Sequence, residues 1–120
     1  MLFRSVSGGV REAILPVARF VGIDERDVHA VAVHCDATGA YTGFESTSPL
    51  ATAVGKRAVA ASLGLPSRVI GMGDGATDLA MRPAIDAFAA FTRFVSRDRV
   101  VSSADYVFES FSQLVELVLA

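Results

Sequence analysis

The clearest candidate for chemistry in this sequence is Asp74, an acid held between Gly73 and Gly75. Two β-branched residues at 69–70 predict a short buried strand before it, and the residues at 77–81 predict the start of a helix. This order places the carboxylate at the carboxyl end of a strand, where open α/β sheets bind ligands. Such a carboxylate is a natural ligand for Mg²⁺, which usually accompanies a phosphate. The alternative is a solvated turn in which Asp and Gly only serve the bend.

A second candidate is the segment Ser7-Gly8-Gly9 near the start of the chain. Two successive glycines after a serine predict a loop with exposed backbone N–H groups, which suit an anion at the mouth of the following helix. The alternative is a helix cap followed by a flexible turn. The helix itself is predicted from apolar residues at roughly helical spacing, namely Val10, Ile14, Val17, Ala18 and Val21.

Composition limits the classes of function. The chain has 120 residues, of which 52% are hydrophobic and 20% charged, so we expect one globular domain over 1–120. A net charge of −2 gives no basic excess and argues against a nucleic-acid partner. No apolar run is long enough to span a membrane, no signal peptide is recognisable, and a single cysteine, Cys35, fits a cytoplasmic location.

The elements predicted from pattern alternate between strand and helix. In the first half we expect a strand at 2–6 and a helix from Val10 that Gly22 ends, with either a kink or a new first turn at Pro16. A strand at 28–34 and a return strand at 40–44 should then form a hairpin. A helix should begin at Ser48-Pro49 and run towards 63, although Gly55 can instead mark a later start.

The second half continues this alternation. Residues 85–91 are ambiguous between strand and helix, 97–103 predict a helix, 104–108 a strand, and Ser110 the cap of a terminal helix. Together these elements predict an α/β fold with a mostly parallel, Rossmann-like sheet, helices on both faces and a small β-hairpin. Five phenylalanines are expected in the core: Phe88, Phe91, Phe94, Phe108 and Phe111.

Three motifs in one order, Ser7-Gly8-Gly9, then Lys56, then 73–78, resemble the haloacid dehalogenase superfamily of phosphatases, and most closely its phosphoserine phosphatase branch. The segments 39–44 and 110–114 also resemble that branch, so the likeness covers nearly the whole chain. It implies a Mg²⁺-dependent hydrolase that acts on a small phosphomonoester, with O-phosphoserine as the substrate of this branch.

The resemblance also implies roles for single residues. The Ser7 hydroxyl and the Gly8 N–H match the donors that bind the transferred phosphoryl group. Lys56 matches the lysine that offsets phosphate charge, although a lone lysine on a helix is ordinarily solvated. Asp74 matches the side-chain Mg²⁺ ligand.

Two further positions in the acidic segment match the family less directly. Asp78 matches a second acid that supports the metal, through water or by holding Lys56. Thr77 stands where relatives can carry Asn, and is assigned to phosphate binding. No acid or cysteine stands at metal-ligand spacing from His29 or His34, so neither is predicted as a ligand.

One part of the family's chemistry has no counterpart in this sequence. The nucleophile is an aspartate in an Asp-x-Asp segment, and no Asp-x-Asp occurs in the 120 residues. By resemblance the chain is therefore a C-terminal portion that lacks the central nucleophile strand and the substrate-reading cap. A sheet without that strand has a gap of about 5 Å, which predicts low stability or association with another chain.

The sequence is compatible with two functions. The first is the phosphatase core just described, inactive as this chain alone. The second is a non-catalytic phosphate- or metal-binding fragment that associates with another chain, or with itself, through its incomplete sheet. An ion-pumping ATPase, which uses a similar acidic loop, is excluded because the sequence has no membrane spans.

Overall fold

The computed structural model describes residues 1–66 and 68–120, which form two compact units, Met1–Val59 and Ala60–Ala120. The α/β class and the small antiparallel hairpin are both confirmed. Up to the unit boundary the elements are β1 (Ser5–Val10), α1 (Arg11–Phe20), β2 (Val28–Val31), β3 (Val33–Cys35), β4 (Tyr41–Phe44) and α2 (Gly55–Ser62), the last of which crosses it. The later elements are β5 (Ile70–Gly73), α3 (Ala76–Leu79), β6 (Ala87–Phe91), α4 (Asp98–Ser102), β7 (Tyr106–Phe108) and α5 (Phe111–Leu119).

The first unit has its core between α1 and the parallel pair β1–β2. Leu15 and Ala18, three positions apart on α1, pack with Val28 and Ala30 of β2, whose side chains point to the same face. Pro16 lies inside the helix, and Gly22 follows its end with a φ of +79°. That left-handed conformation is one that glycine adopts without strain, so the predicted stop is confirmed.

The predicted boundaries in this unit were wrong in three places. The first strand begins at Ser5 instead of Leu2, and it continues through the serine–glycine segment to Val10. The single strand predicted at 28–34 is two strands that separate at Ala32, because β2 pairs with β1 whereas β3 pairs antiparallel with β4. The two strands belong to separate sheets, and the strand is interrupted at Ala32 between them.

The helix predicted from Ser48-Pro49 was also wrong in its main version. A short 3₁₀ turn, Pro49–Ala51, follows Ser48, whose hydroxyl accepts a hydrogen bond from the Leu50 N–H at 3.3 Å. Helix α2 begins only at Gly55, as the alternative interpretation had it. A Cβ built on Gly55 would lie 1.7 Å from the Pro49 carbonyl oxygen, so only glycine allows the chain to fold back this closely.

The second unit is built on a parallel sheet in the order β5–β6–β7. The middle strand resolves the ambiguous segment 85–91: Phe88, Ala89 and Ala90 are fully buried, so both faces of β6 are covered. A strand buried on both faces shows no polar–apolar alternation, which is why its pattern did not distinguish it from a helix. Val100 of α4 packs into the same core.

The prediction that five phenylalanines form the core was partly wrong. Phe88 and Phe108 are buried and Phe91 is half-buried, but Phe94 is 81% exposed and Phe111 is 63% exposed. Phe94 lies in the loop after β6, and Phe111 opens α5, where its ring stacks on Phe91 with 5.0 Å between centroids. Both lie at the margin of the core because the strands end before them.

Within the described ranges 1–66 and 68–120, every strand except β6 has a single strand partner. Strand β1 pairs with β2, and β5 pairs with β6, so each has one edge with no neighbouring strand. Among the same residues, no helix combines the length and the apolar character needed to cross a membrane.

Candidate functional site

The acidic loop after β5 is shaped by close packing between Gly73 and Asp78. A Cβ on Gly73 would lie 2.2 Å from the Asp78 Cγ, so the carboxylate occupies the space that any larger residue would fill. Asp78 is buried and its Oδ2 accepts a hydrogen bond from the Gly75 N–H at 3.0 Å, while its own N–H donates to the Gly75 carbonyl at 3.1 Å. Asp78, in the first turn of α3, therefore fixes the loop through its two hydrogen bonds to Gly75.

Asp74 lies on the outer side of this loop, with half of its side chain exposed. The guanidinium of Arg97 contacts it twice: Nη1 donates to Oδ2 at 2.6 Å and to the backbone carbonyl oxygen at 2.8 Å. Arg97 was not among the residues singled out from the sequence. A topological signal was nevertheless available, because β5 and β6 are parallel neighbours and the loops that follow them meet at one edge of the sheet.

The serine–glycine segment forms an irregularity in strand β1. In the parallel register Val6 pairs with His29 and Val10 with Val31, so three residues of β1 stand opposite one residue of β2. The bulged segment is Ser7–Gly9, and the Ser7 Oγ accepts a hydrogen bond from the Gly9 N–H at 3.0 Å. Because the oxygen acts as acceptor here, the hydroxyl hydrogen is left to donate to a ligand.

A cavity of about 370 Å³ adjoins this bulge. Gly8 and Gly9 form part of its wall, and the rest comes from apolar and aromatic residues of the first unit: Val10, Val31, Val33, Tyr41, Phe44 and Ala51. A Cβ on Gly8 would lie 3.4 Å from the Leu50 carbonyl oxygen, so the backbone is close to the 3₁₀ turn. The glycine backbone of the bulge thus borders a pocket of small-molecule size.

The remaining predicted residues lie in separate parts of the fold. Lys56 is half-buried at the start of α2, in the same unit as Ser7. Thr77 is exposed on α3, between Ala76 and the buried Asp78. The first unit therefore contains Ser7, Gly8 and Lys56, and the second contains Asp74, Thr77 and Asp78.

The acidic loop has the donor types that a Mg²⁺ ion prefers. Mg²⁺ retains several waters and is commonly held by one or two carboxylates together with substrate phosphate oxygens. An exposed carboxylate at Asp74, supported by a buried second acid at Asp78, fits that donor requirement. Across the described residues, no cluster of three or more His, Cys, Asp or Glu side chains is arranged to hold a metal, so protein ligands alone do not enclose one.

Comparison with known proteins finds similar sequences over most of this chain. No protein-family model matches the sequence. The phosphoserine phosphatase of Homo sapiens is 34% identical over 113 residues, covering 92% of this chain and 50% of the relative. The phosphoserine phosphatase of Bos taurus is 33% identical over 113 residues, with the same shares of the two chains. The chain thus spans about half the length of these curated relatives.

A solved structure extends this likeness to the fold. The phosphoserine phosphohydrolase-like protein of Francisella tularensis has a TM-score of 0.76 and 25% identity, covering 93% of this chain and 53% of the other. The chain is phosphoserine phosphatase-like. Its fold is that of the haloacid dehalogenase superfamily, as the ordered motifs indicated. This phosphoserine phosphatase-like chain aligns with about half of each of these proteins.

Proposed function

We propose that this chain supplies the phosphate- and metal-binding residues of a Mg²⁺-dependent phosphomonoester hydrolase whose substrate is O-phosphoserine. The observation that carries the proposal is the exposed Asp74 carboxylate at the carboxyl end of β5, beside the buried Asp78, in a chain similar to phosphoserine phosphatases. The product would be serine, so the proposed role is in serine biosynthesis.

The role proposed for each residue follows from its hydrogen-bond donors and its charge. Ser7 and Gly8 donate to the phosphoryl oxygens, and Lys56 offsets their negative charge. Asp74 holds the cation, and Asp78 fixes the loop that carries it. Thr77 adds a hydroxyl on the exposed side of α3. When bound, Mg²⁺ supplies positive charge that neutralises the transferring phosphoryl group.

The covalent step requires a carboxylate that these residues do not provide. In the family's reaction an aspartate oxygen attacks phosphorus, the serine oxygen leaves with a proton, and water then hydrolyses the phosphoaspartyl group. Because the sequence has no Asp-x-Asp segment, we infer that this chain does not turn over substrate alone. The nucleophile must come from a separate segment or chain.

A complementation assay tests this proposal. Release of phosphate from O-phosphoserine is measured with Mg²⁺ for the chain alone, and again after adding a peptide that carries an Asp-x-Asp strand. We expect no turnover in the first case and measurable turnover in the second, abolished by Asp74→Asn. Turnover by the chain alone would show that another residue attacks phosphorus and would contradict the proposal.

The alternative is a non-catalytic fragment that binds phosphate or metal and associates with another chain. The observation that favours it is the edge of β1 and that of β5, neither of which has a neighbouring strand among the described residues. Exposed strand edges pair readily with other chains. Analytical ultracentrifugation separates the cases: a concentration-dependent oligomer supports the alternative, and a monomer that binds the Asp-x-Asp peptide supports the enzyme.

A further inference from the structure

The Asp74 carboxylate already has a cationic partner in this structure. Arg97 Nη1 lies 2.6 Å from the carboxylate Oδ2 and 2.8 Å from the backbone carbonyl oxygen of the same residue. One nitrogen therefore contacts two of the oxygen atoms that Asp74 can offer to a cation. About half of each side chain is exposed, so a cation from solvent has access to the pair.

The backbone around Arg97 places its side chain here. Arg97 follows β6 and directly precedes α4, and its carbonyl oxygen accepts hydrogen bonds from the N–H groups of Val100 and Val101, both at 2.9 Å. The register of β6 against β5 pairs Ala90 with Gly73, the residue before Asp74. The helix start and the strand register thus hold the base of the arginine next to the acidic loop.

We propose that Arg97 occupies the Asp74 carboxylate until a divalent cation displaces it. This inference rests on the proposed role of Asp74 as the metal ligand. A guanidinium and a divalent cation repel each other, so Arg97 and the metal compete for the Asp74 carboxylate. Arg97 thereby weakens cation binding and neutralises Asp74 when the cation is absent.

Cation titration of four variants tests the proposal directly. Binding of Mn²⁺ is followed by the loss of its free-ion electron paramagnetic resonance signal, which needs no turnover. We expect Arg97→Gln to tighten binding by about three- to tenfold at low salt, because the competing charge is removed. This difference in affinity between Arg97→Gln and the parent should become smaller as ionic strength rises. Arg97→Lys keeps the charge and should restore affinity close to that of the parent.

Two controls distinguish this effect from others. Arg99→Gln removes the same charge from an exposed position two residues away and should leave the affinity unchanged. Asp74→Asn should abolish the binding. Circular dichroism verifies that each variant is folded.

Each outcome decides between the two claims. If Asp74→Asn abolishes binding but Arg97→Gln weakens it or leaves it unchanged, the competition is refuted and the proposed metal role of Asp74 stands. The same holds if Arg97→Lys behaves like Arg97→Gln, because charge is then not the cause. If Asp74→Asn binds Mn²⁺ as tightly as the parent does, both claims are refuted.

A second measurement uses the unmodified chain. The Nε–Hε resonance of Arg97 is followed by NMR while Mg²⁺ is added. We expect it to shift with the same dissociation constant as the Asp74 backbone amide. An Arg97 resonance that stays in place while the Asp74 amide shifts would overturn the proposal.

Discussion

Gly73 and Asp78 share one space at the end of strand β5: a Cβ on the glycine would lie 2.2 Å from the Asp78 Cγ and 2.4 Å from its Oδ2. The carboxylate is buried there and accepts a hydrogen bond from the Gly75 N–H. The absence of a side chain at position 73 is therefore what allows the second acid to brace the loop that carries Asp74.

Gly73→Ala should displace Asp78 and lower the free energy of unfolding by about 1–3 kcal/mol, the usual cost of forcing atoms into a packed site. Chemical denaturation of the parent and the variant measures this. Gly75→Ala is the matched control, because its Cβ would lie at an ordinary 3.4 Å from the Asp78 Oδ2. Equal losses in the two variants would show that close packing at Gly73 is not the cause.

Gly55 should be equally intolerant of a side chain, for a different reason. Its Cβ would lie 1.7 Å from the Pro49 carbonyl oxygen, which is backbone and cannot rotate away. Gly55→Ala should therefore cost at least about 3 kcal/mol and should speed hydrogen exchange of the α2 amides. Gly8→Ala, with its nearest contact at 3.4 Å from the Leu50 carbonyl oxygen, should cost much less. An α2 helix protected as in the parent would contradict this.

Two phenylalanines that the sequence did not distinguish should respond oppositely to truncation. Phe88 is completely buried at the centre of the second unit, so Phe88→Ala should destabilise the chain by about 3–5 kcal/mol. Phe94 is 81% exposed, so Phe94→Ala should change stability by less than about 0.5 kcal/mol. Thermal unfolding of both variants measures the difference, and similar losses would refute the assignment of the core.

Asp105 should make the stability of the second unit sensitive to acid. Its carboxylate accepts hydrogen bonds from the Arg82 guanidinium and from the Phe88 N–H at 2.8 Å, and these lower its pKa. A depressed pKa in the folded chain adds stability that is complete above the unfolded pKa of about 4 and is lost as the pH falls below it.

Asp105→Asn should therefore be less stable than the parent at neutral pH, and the difference should narrow below about pH 4. Urea unfolding at a series of pH values measures it. Asp98→Asn removes a carboxylate from the first turn of α4 and serves as the charge control. A difference between Asp105→Asn and the parent that is independent of pH would rule out the ion pair as its source.

The sequence predicted local features well where one residue type has a specific physical consequence. The hairpin, the Gly22 stop and the Ser110 cap were confirmed, since the Ser110 Oγ accepts from the Gln113 N–H at 3.4 Å. The later start of α2 was recognised as an alternative because Gly55 is an unusual residue within a helix.

What the sequence did not predict depends on contacts between distant positions. Across the break at Ala32, β2 pairs with β1 and β3 pairs with β4, and no local pattern in the sequence records a pairing partner. Arg97 was seen only as the start of a short helix, and its contact with Asp74 spans 23 residues and follows from the register of β5 against β6. The roles of Ser7, Lys56 and Asp74 as a functional set remain a prediction.

The most direct test of the central claim is whether phosphate and Mg²⁺ affect each other's binding to this chain. Isothermal titration measures the affinity for inorganic phosphate with and without saturating Mg²⁺, in the parent, Ser7→Ala and Asp74→Asn. If both residues serve one phosphate, Mg²⁺ should tighten phosphate binding at least fivefold in the parent, and this coupling should vanish in both variants. Phosphate affinity that is the same with and without Mg²⁺, or coupling that survives either substitution, would contradict the phosphatase account.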